Sequence, residues 1–134
     1  MSAIIAIEGV GEVNARKLEK MGINTVEKLL STGATPKGRK EIAQGAGIGE
    51  KVILKWVNFA DLFRVKGIGT QFSELLEAAG VDTVIELSKR VSENLFKKMK
   101  EVNEEKKLVR RTPNLTEVNS WVAQAKKLPR VINY

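Results

Sequence analysis

The chain has 134 residues, 43% of them hydrophobic and 29% charged, and carries a formal net charge of +7. These are globular values that exclude wholesale disorder, and the length suits one ordinary domain or two very small ones. The chain contains no cysteine and no histidine, which excludes disulfides, thiolate metal sites and the commonest general base. No constellation of carboxylates, lysines or hydroxyls stands out. We therefore expect no enzymatic activity, no cofactor and no metal. We also expect no membrane span and a cytoplasmic location.

Apolar residues recur at helical spacing through the first half of the chain, and glycines lie where the helices are predicted to stop. The predicted helices cover about residues 12–21, 24–31, 36–45 and 49–62. Asn24 is a predicted cap of the second helix, and Thr35 before Pro36 is typical of a capped helix with a first-turn proline. No alternating pattern of a β-strand occurs, so the spacing predicts helices only.

The second half of the chain is also predicted to be helical. Its predicted helices cover about residues 70–79, 82–90, 92–103 and 114–127, with a further helical turn at 104–111. Asp82 and Ser92 are predicted caps. If 104–111 is helical, Lys106 and Arg110 form one like-charge pair, and Lys107 and Arg111 form another. Such pairs are slightly unfavourable, and a bound anion would relieve them.

The two halves are copies of one another. The stretch IEGVGEVNARKLEKMGINTVEKL (7–29) aligns without gaps with VKGIGTQFSELLEAAGVDTVIEL (65–87), and WVNFADL from Trp56 resembles WVAQAKKL from Trp121. The second copy carries about seven extra residues between these matches. The repeat predicts two small domains, at residues 1–62 and 63–134, in which the equivalent tryptophans anchor the two cores.

The Gly-Val-Gly at residues 9–11 follows an apolar run, which is also the context of a dinucleotide-binding turn. That turn needs a preceding buried strand and a third glycine. The third position holds Asn14 in the first copy and Phe72 in the second, and Asp61 and Arg64 interrupt the would-be strand of the second copy. The sequence therefore excludes dinucleotide binding and favours a turn between two helices.

IEGVGEVNARKLEKMGI and VKGIGTQFSELLEAAGV resemble helix-hairpin-helix elements, and GAGIGEKVILKWV resembles a third. Their order is similar to the paired helix-hairpin-helix domain of Holliday-junction-binding, excision-repair, ligase and recombinase proteins. The whole chain also resembles an uncharacterised bacterial and archaeal family of such tandem domains, a domain of unknown function. The resemblance implies an all-α fold of two consecutive paired helix-hairpin-helix domains, each a SAM-like bundle similar to recombinase N-terminal domains.

The resemblance also implies binding to the nucleic-acid backbone without sequence specificity, with DNA preferred to RNA. Glycines without side chains let a phosphate approach the amides that open the next helix. The basic excess is +5 from Phe63 onward, against +2 through Leu62, which places the predicted contacts in the second half. They are Lys66, Gly67, Ile68, Gly69, Thr70, Lys106, Lys107, Arg110, Arg111, Lys126 and Lys127.

The other two hairpins are weaker candidates. Glu12 and Glu50 directly follow the second glycines, and a carboxylate there repels phosphate. The weaker set comprises Gly9, Gly11, Gly47, Gly49 and Lys51. The acidic hairpins and the low charge of the first copy leave a second function open, a protein–protein interaction or scaffold module. A small-molecule substrate is not expected.

One further basic group lies in the first copy, where Lys37, Arg39 and Lys40 open a predicted helix. Cations at a helix N-terminus oppose the helix dipole. Their position therefore hints at a binding role.

Overall fold

The computed structural model describes residues 2–134, and that range contains eight α-helices and no β-strand. The helices are α1 (Gly11–Lys20), α2 (Val26–Thr32), α3 (Pro36–Ala46), α4 (Glu50–Leu62), α5 (Thr70–Ala78), α6 (Val84–Ser88), α7 (Ser92–Lys106) and α8 (Leu115–Lys127). The all-α prediction is confirmed. The predicted helix limits agree with the observed ones to within three residues, except at 104–111.

The backbone contacts divide the chain into two compact units. The first unit comprises the residues up to Asp61 together with Arg130–Tyr134, and the second comprises Leu62–Pro129. The last five residues thus lie in the first unit, whereas the sequence repeat predicts them in the second domain.

The first unit begins with a short 3₁₀ turn, Ile4–Ala6, rather than a strand. Ala3 forms a single antiparallel bridge with Thr25, and Ile4 and Ile7 are buried. The apolar start of the chain therefore packs into the core of this unit, in agreement with the rejection of a dinucleotide-binding strand.

Threonines cap two equivalent helices. Thr25 Oγ1 accepts a hydrogen bond from the Lys28 N–H at 3.0 Å, and Thr83 Oγ1 accepts one from the Glu86 N–H at 3.3 Å. Both threonines have the extended backbone of an N-cap. The predicted caps Asn24 and Asp82 are therefore wrong by one residue.

Two other predicted caps have different outcomes. Thr35 Oγ1 accepts from the Gly38 N–H at 3.1 Å with Pro36 in the first turn, as predicted. The prediction for Ser92 is wrong, because Ser92 is already helical and Val91 holds the cap position without a side-chain bond.

The second unit differs from its prediction at 104–111. Helix α7 ends at Lys106, and Lys107 adopts the left-handed conformation with φ of 51°. The Asn103 side chain accepts from the Val109 N–H at 2.9 Å and donates to the Val109 carbonyl at 3.0 Å. These two bonds replace another helical turn, so the predicted like-charge pairs along a helix face do not form.

The C-terminal tail is held by long-range contacts within the first unit. Ile132 is buried, and the Asn133 N–H donates to the Ala34 carbonyl at 2.8 Å. Arg39, only 6% exposed, donates to the carbonyls of Gly33 at 2.9 Å and Asn133 at 2.8 Å. Arg39 therefore supports the fold, and its place at a helix start is explained without a ligand.

Candidate nucleic-acid interface

The leading predicted site is the turn at residues 66–70 of the second unit, which runs into α5. Gly67 has a φ of +100°, and a Cβ added there would lie 2.9 Å from Trp121 Nε1. Gly67 is therefore required by the conformation of the turn and by its packing on the tryptophan. Ile68 points into the core, with 4% of its surface exposed. Only the backbone of Ile68 can thus contribute to an interface.

Gly69 has a different environment in the same turn. Its φ is −122°, and an added Cβ would meet no atom within 4 Å. The space beside Gly69 is open, and its backbone precedes the first turn of α5, where the helix dipole favours an anion. Thr70 is the first residue of α5 and is partly exposed. The geometry at Gly69 permits a close approach by a phosphate.

Gln124 of α8 holds this turn by pairing with the backbone of Lys66. The Lys66 N–H donates to Gln124 Oε1 at 2.9 Å, and Gln124 Nε2 donates to the Lys66 carbonyl at 3.1 Å. Ser120 Oγ accepts a further bond from Nε2 at 3.2 Å. Sequence reasoning missed Gln124. The repeat gives no signal for it, because the equivalent position holds Phe59.

The lysines at the end of α8 lie close to this pair along the chain. Lys127 follows Gln124 by three residues and therefore lies on the same helix face. Lys66, Lys126 and Lys127 are all exposed. The Gln124–Lys66 pair thus joins the turn at Lys66 to α8, whose last turn carries Lys126 and Lys127.

Arg111 is committed to an ion pair. Its guanidinium donates to both carboxylate oxygens of Glu117, at 2.7 and 3.2 Å. This interaction, aided by the Asn114 N–H, lowers the pKa of Glu117, and the same carboxylate raises the pKa of Arg111. A phosphate that binds Arg111 therefore competes with Glu117 for the guanidinium.

Arg111 nevertheless connects α5 to the loop between α7 and α8, which carries Lys107, Arg110 and Arg111. The guanidinium lies 5.5 Å from the Phe72 ring centre, and that ring lies 5.2 Å from the Trp121 ring. Because Trp121 also packs on Gly67, these contacts connect the loop after α7 with the turn at 66–70. Lys106, Lys107 and Arg110 are exposed around the end of α7, where cations are also favourable for the helix dipole.

The equivalent turn of the first unit shows the same packing and a different charge. Gly9 has a φ of +91°, and an added Cβ would lie 3.6 Å from Trp56 Nε1. Gly11 has a φ of +68° and begins α1. Glu12 is exposed in the first turn of α1. The glycines are thus accounted for by the turn, and the adjacent carboxylate disfavours phosphate.

The third glycine pair separates α3 from α4. Gly47 closes α3 in the left-handed conformation, and its N–H donates to the Ala43 carbonyl. Gly49 directly precedes α4, and its carbonyl accepts a hydrogen bond from the Ile53 N–H at 3.1 Å. Lys51 is exposed in the first turn of α4. Gly47 thus has a structural role at the end of α3, whereas the bond at Gly49 uses only its backbone.

The structural boundaries distribute the charge more evenly than the halves of the sequence. Leu62–Pro129 contains 13 Lys and Arg residues and nine Asp and Glu, a net charge of +4. The remaining residues contain ten and seven, a net charge of +3. The two units therefore have nearly the same net charge, and they differ in where their charged residues lie.

Comparison with known proteins gives a family but no close relative. No curated protein and no solved structure shows a significant match to the chain. Within residues 2–134 no helix has the length and apolar character needed to cross a membrane. The family described as Domain of unknown function (DUF4332) matches residues 8–128, which include the three glycine turns at residues 9–11, 47–49 and 67–69. The chain belongs to the DUF4332 family.

Proposed function

We propose that this protein binds the nucleic-acid backbone, DNA in preference to RNA, without sequence specificity, and that each unit is a pair of helix-hairpin-helix elements. The observation that carries the proposal is the Gln124–Lys66 pair. It holds the turn at Lys66 against α8, with Lys127 three residues after Gln124 on α8 and Gly69 three residues after Lys66 in the turn.

The proposed contact is made at Gly69 and the start of α5. The absence of a side chain there leaves room for a phosphate oxygen, and the helix dipole attracts it. Lys66 and Lys127 add positive charge on the same side, and Lys126 lies next to Lys127. Such contacts read no base edges, so affinity depends on salt and hardly on sequence.

Fluorescence anisotropy tests the proposal directly. The full chain is titrated into labelled duplexes of two unrelated sequences, a four-way junction and a single strand, each at low and at moderate salt. We expect equal affinity for the two duplexes and weaker binding at higher salt. An absence of binding at low salt would contradict the proposal.

A matched pair of glycine substitutions locates the contact. Gly69→Ala adds a methyl group that meets no protein atom within 4 Å, so we expect the fold to be kept and duplex affinity to fall about tenfold, as when a charge-assisted hydrogen bond of about 1.5 kcal/mol is lost. Gly49→Ala is the control, because its Cβ is equally unobstructed but Glu50 follows it. Equal affinities of the two variants would place the binding site elsewhere.

A second candidate function, a protein–protein interaction, is favoured by the surface of the first hairpin. Val13 is 69% exposed and Ile5 49% exposed, and Ile5 lines a shallow cleft together with Glu12 and Arg16. The second copy has the polar Gln71 in place of Val13. A protein partner that survives nuclease treatment and is lost on Val13→Asp would support this function. Retention of that partner by the variant would contradict it.

A further inference from the structure

The first unit contains a groove of about 320 Å³ that is separate from the turn at residues 66–70 of the second unit. Pro36 and Arg39 of α3, Glu50, Lys51 and Leu54 of α4, and Tyr134 of the tail line it. Most of its surface is apolar, and its volume falls in the range of sites that hold small organic ligands. The tail contributes Tyr134 to this groove because it returns to the first unit.

Tyr134 presents an aromatic surface to this groove. Its hydroxyl donates to Asn58 Oδ1 at 3.2 Å, and the Arg39 guanidinium lies 5.8 Å from its ring centre. The side chain is thus fixed at its hydroxyl and flanked by a cation, yet the residue is 63% exposed. A ring held in this way can stack on a flat ligand without losing much side-chain entropy.

No other aromatic residue in the range 2–134 is as accessible. Trp56, Trp121 and Phe59 are buried, and the remaining phenylalanines are half-buried. Arg111 lies over the Phe72 ring and Lys100 over the Phe96 ring. Tyr134 is therefore the most exposed aromatic side chain for a stacking contact, with Arg39 over its ring as well.

We propose that this groove binds one nucleotide, with the base stacked on Tyr134 and the phosphate paired with Lys51. Leu54 and Pro36 provide the apolar wall that a base favours. Glu50 repels phosphate and accepts a hydrogen bond from a base amino group, which sets the orientation of the ligand. The choice of a nucleotide rests on the proposed nucleic-acid function, while the site lies outside the hairpin of the second unit.

Affinity measurements on tail variants test the site. The probe is a labelled oligo(dC) octamer, titrated by anisotropy into the wild type and into Tyr134→Ala. We expect affinity to fall about 5- to 150-fold, the range for removal of one aromatic ring from a base stack. Tyr134→Phe keeps the ring and should retain affinity within about threefold. Equal losses in Tyr134→Phe and Tyr134→Ala, or no loss in either, would overturn the proposal.

Competition with dCMP distinguishes a free mononucleotide from a nucleotide within a strand. Displacement of the octamer by dCMP at similar concentrations supports a mononucleotide site. Displacement only by longer oligonucleotides supports a strand site.

Photo-crosslinking gives the position independently of affinity. An octamer with one 5-iododeoxyuridine is irradiated with the full chain, and mass spectrometry identifies the modified residue. We expect modification of Tyr134, and modification confined to other residues would overturn the proposal. Duplex binding by the same preparation, sensitive to Gly69→Ala, reports the function of the second unit separately, so either proposal can fail while the other stands.

Discussion

Gly67 and Gly69 lie in the same turn, but the structure constrains them differently. Gly67 needs a positive φ and lies against Trp121, whereas Gly69 is extended and open. We predict that Gly67→Ala lowers the free energy of unfolding by about 2–4 kcal/mol, from left-handed strain and overpacking together. Gly69→Ala should change it by less than about 0.5 kcal/mol. Urea unfolding followed by circular dichroism measures both, and equal effects would contradict this account of the turn.

At the scale of single residues, the sequence predicts the structural importance of the repeated glycines and tryptophans. It does not predict the hydrogen bonds made by the side-chain amides of Gln124 and Asn103. Gly67 and Trp121 recur in both copies, so the repeat identifies them. Gln124 and Asn103 each pair with the backbone of a residue in a turn, and such pairs depend on how the turn folds back. No spacing rule predicts them.

At the scale of one element, the start of α8 couples a helix cap to an ion pair. Asn114 and Glu117 form a reciprocal capping box, and Arg111 pairs with the same carboxylate. Because the pKa of Glu117 is lower in the folded chain than in the unfolded chain, its stabilising contribution is present above the usual glutamate pKa of about 4.3. The contribution is lost as the pH falls through the lowered value.

The predicted consequence is a pH-dependent difference between the wild type and Glu117→Gln. Glutamine can complete the capping box but cannot form the ion pair. The wild type should have the higher Tm at pH 7, and the difference should shrink as the pH falls from 5 to 3. Differential scanning calorimetry across this range measures it. A difference that stays constant would show that the ion pair contributes nothing.

The helix limits show where local signals end. Periodicity and caps place all eight helices within three residues of their observed limits because neighbouring residues determine them. The predicted turn at 104–111 is wrong because the contact between Asn103 and Val109 stops α7. That contact competes with the helical propensity of the lysines, and the sequence pattern contains only the propensity.

At the scale of the whole molecule, the tail joins the first unit through contacts that are remote in sequence. Arg39 bonds to Asn133, 94 residues away, and Ile132 is 3% exposed. No repeat or periodicity indicates this return, so the contacts of the tail with the first unit are not predictable from the sequence pattern.

Deletion of residues 130–134 tests the role of the tail. We expect the free energy of unfolding of the first unit to fall by about 2 kcal/mol, chiefly because the burial of Ile132 is lost. Hydrogen exchange should accelerate in α3 and α4 and stay unchanged in α7 and α8. Unchanged exchange throughout would show that the tail contacts contribute no stability.

The salt dependence of duplex affinity tests the central claim most directly. Each lysine that neutralises a phosphate adds about 0.9 to the slope of log affinity against log salt. The double variant Lys66→Ala, Lys127→Ala should therefore bind with a slope shallower by about 1.8, with equal losses on two unrelated duplex sequences. Lys28→Ala, Lys55→Ala, which removes two lysines of the first unit, is the control. An unchanged slope in the Lys66–Lys127 variant would contradict backbone binding by this surface.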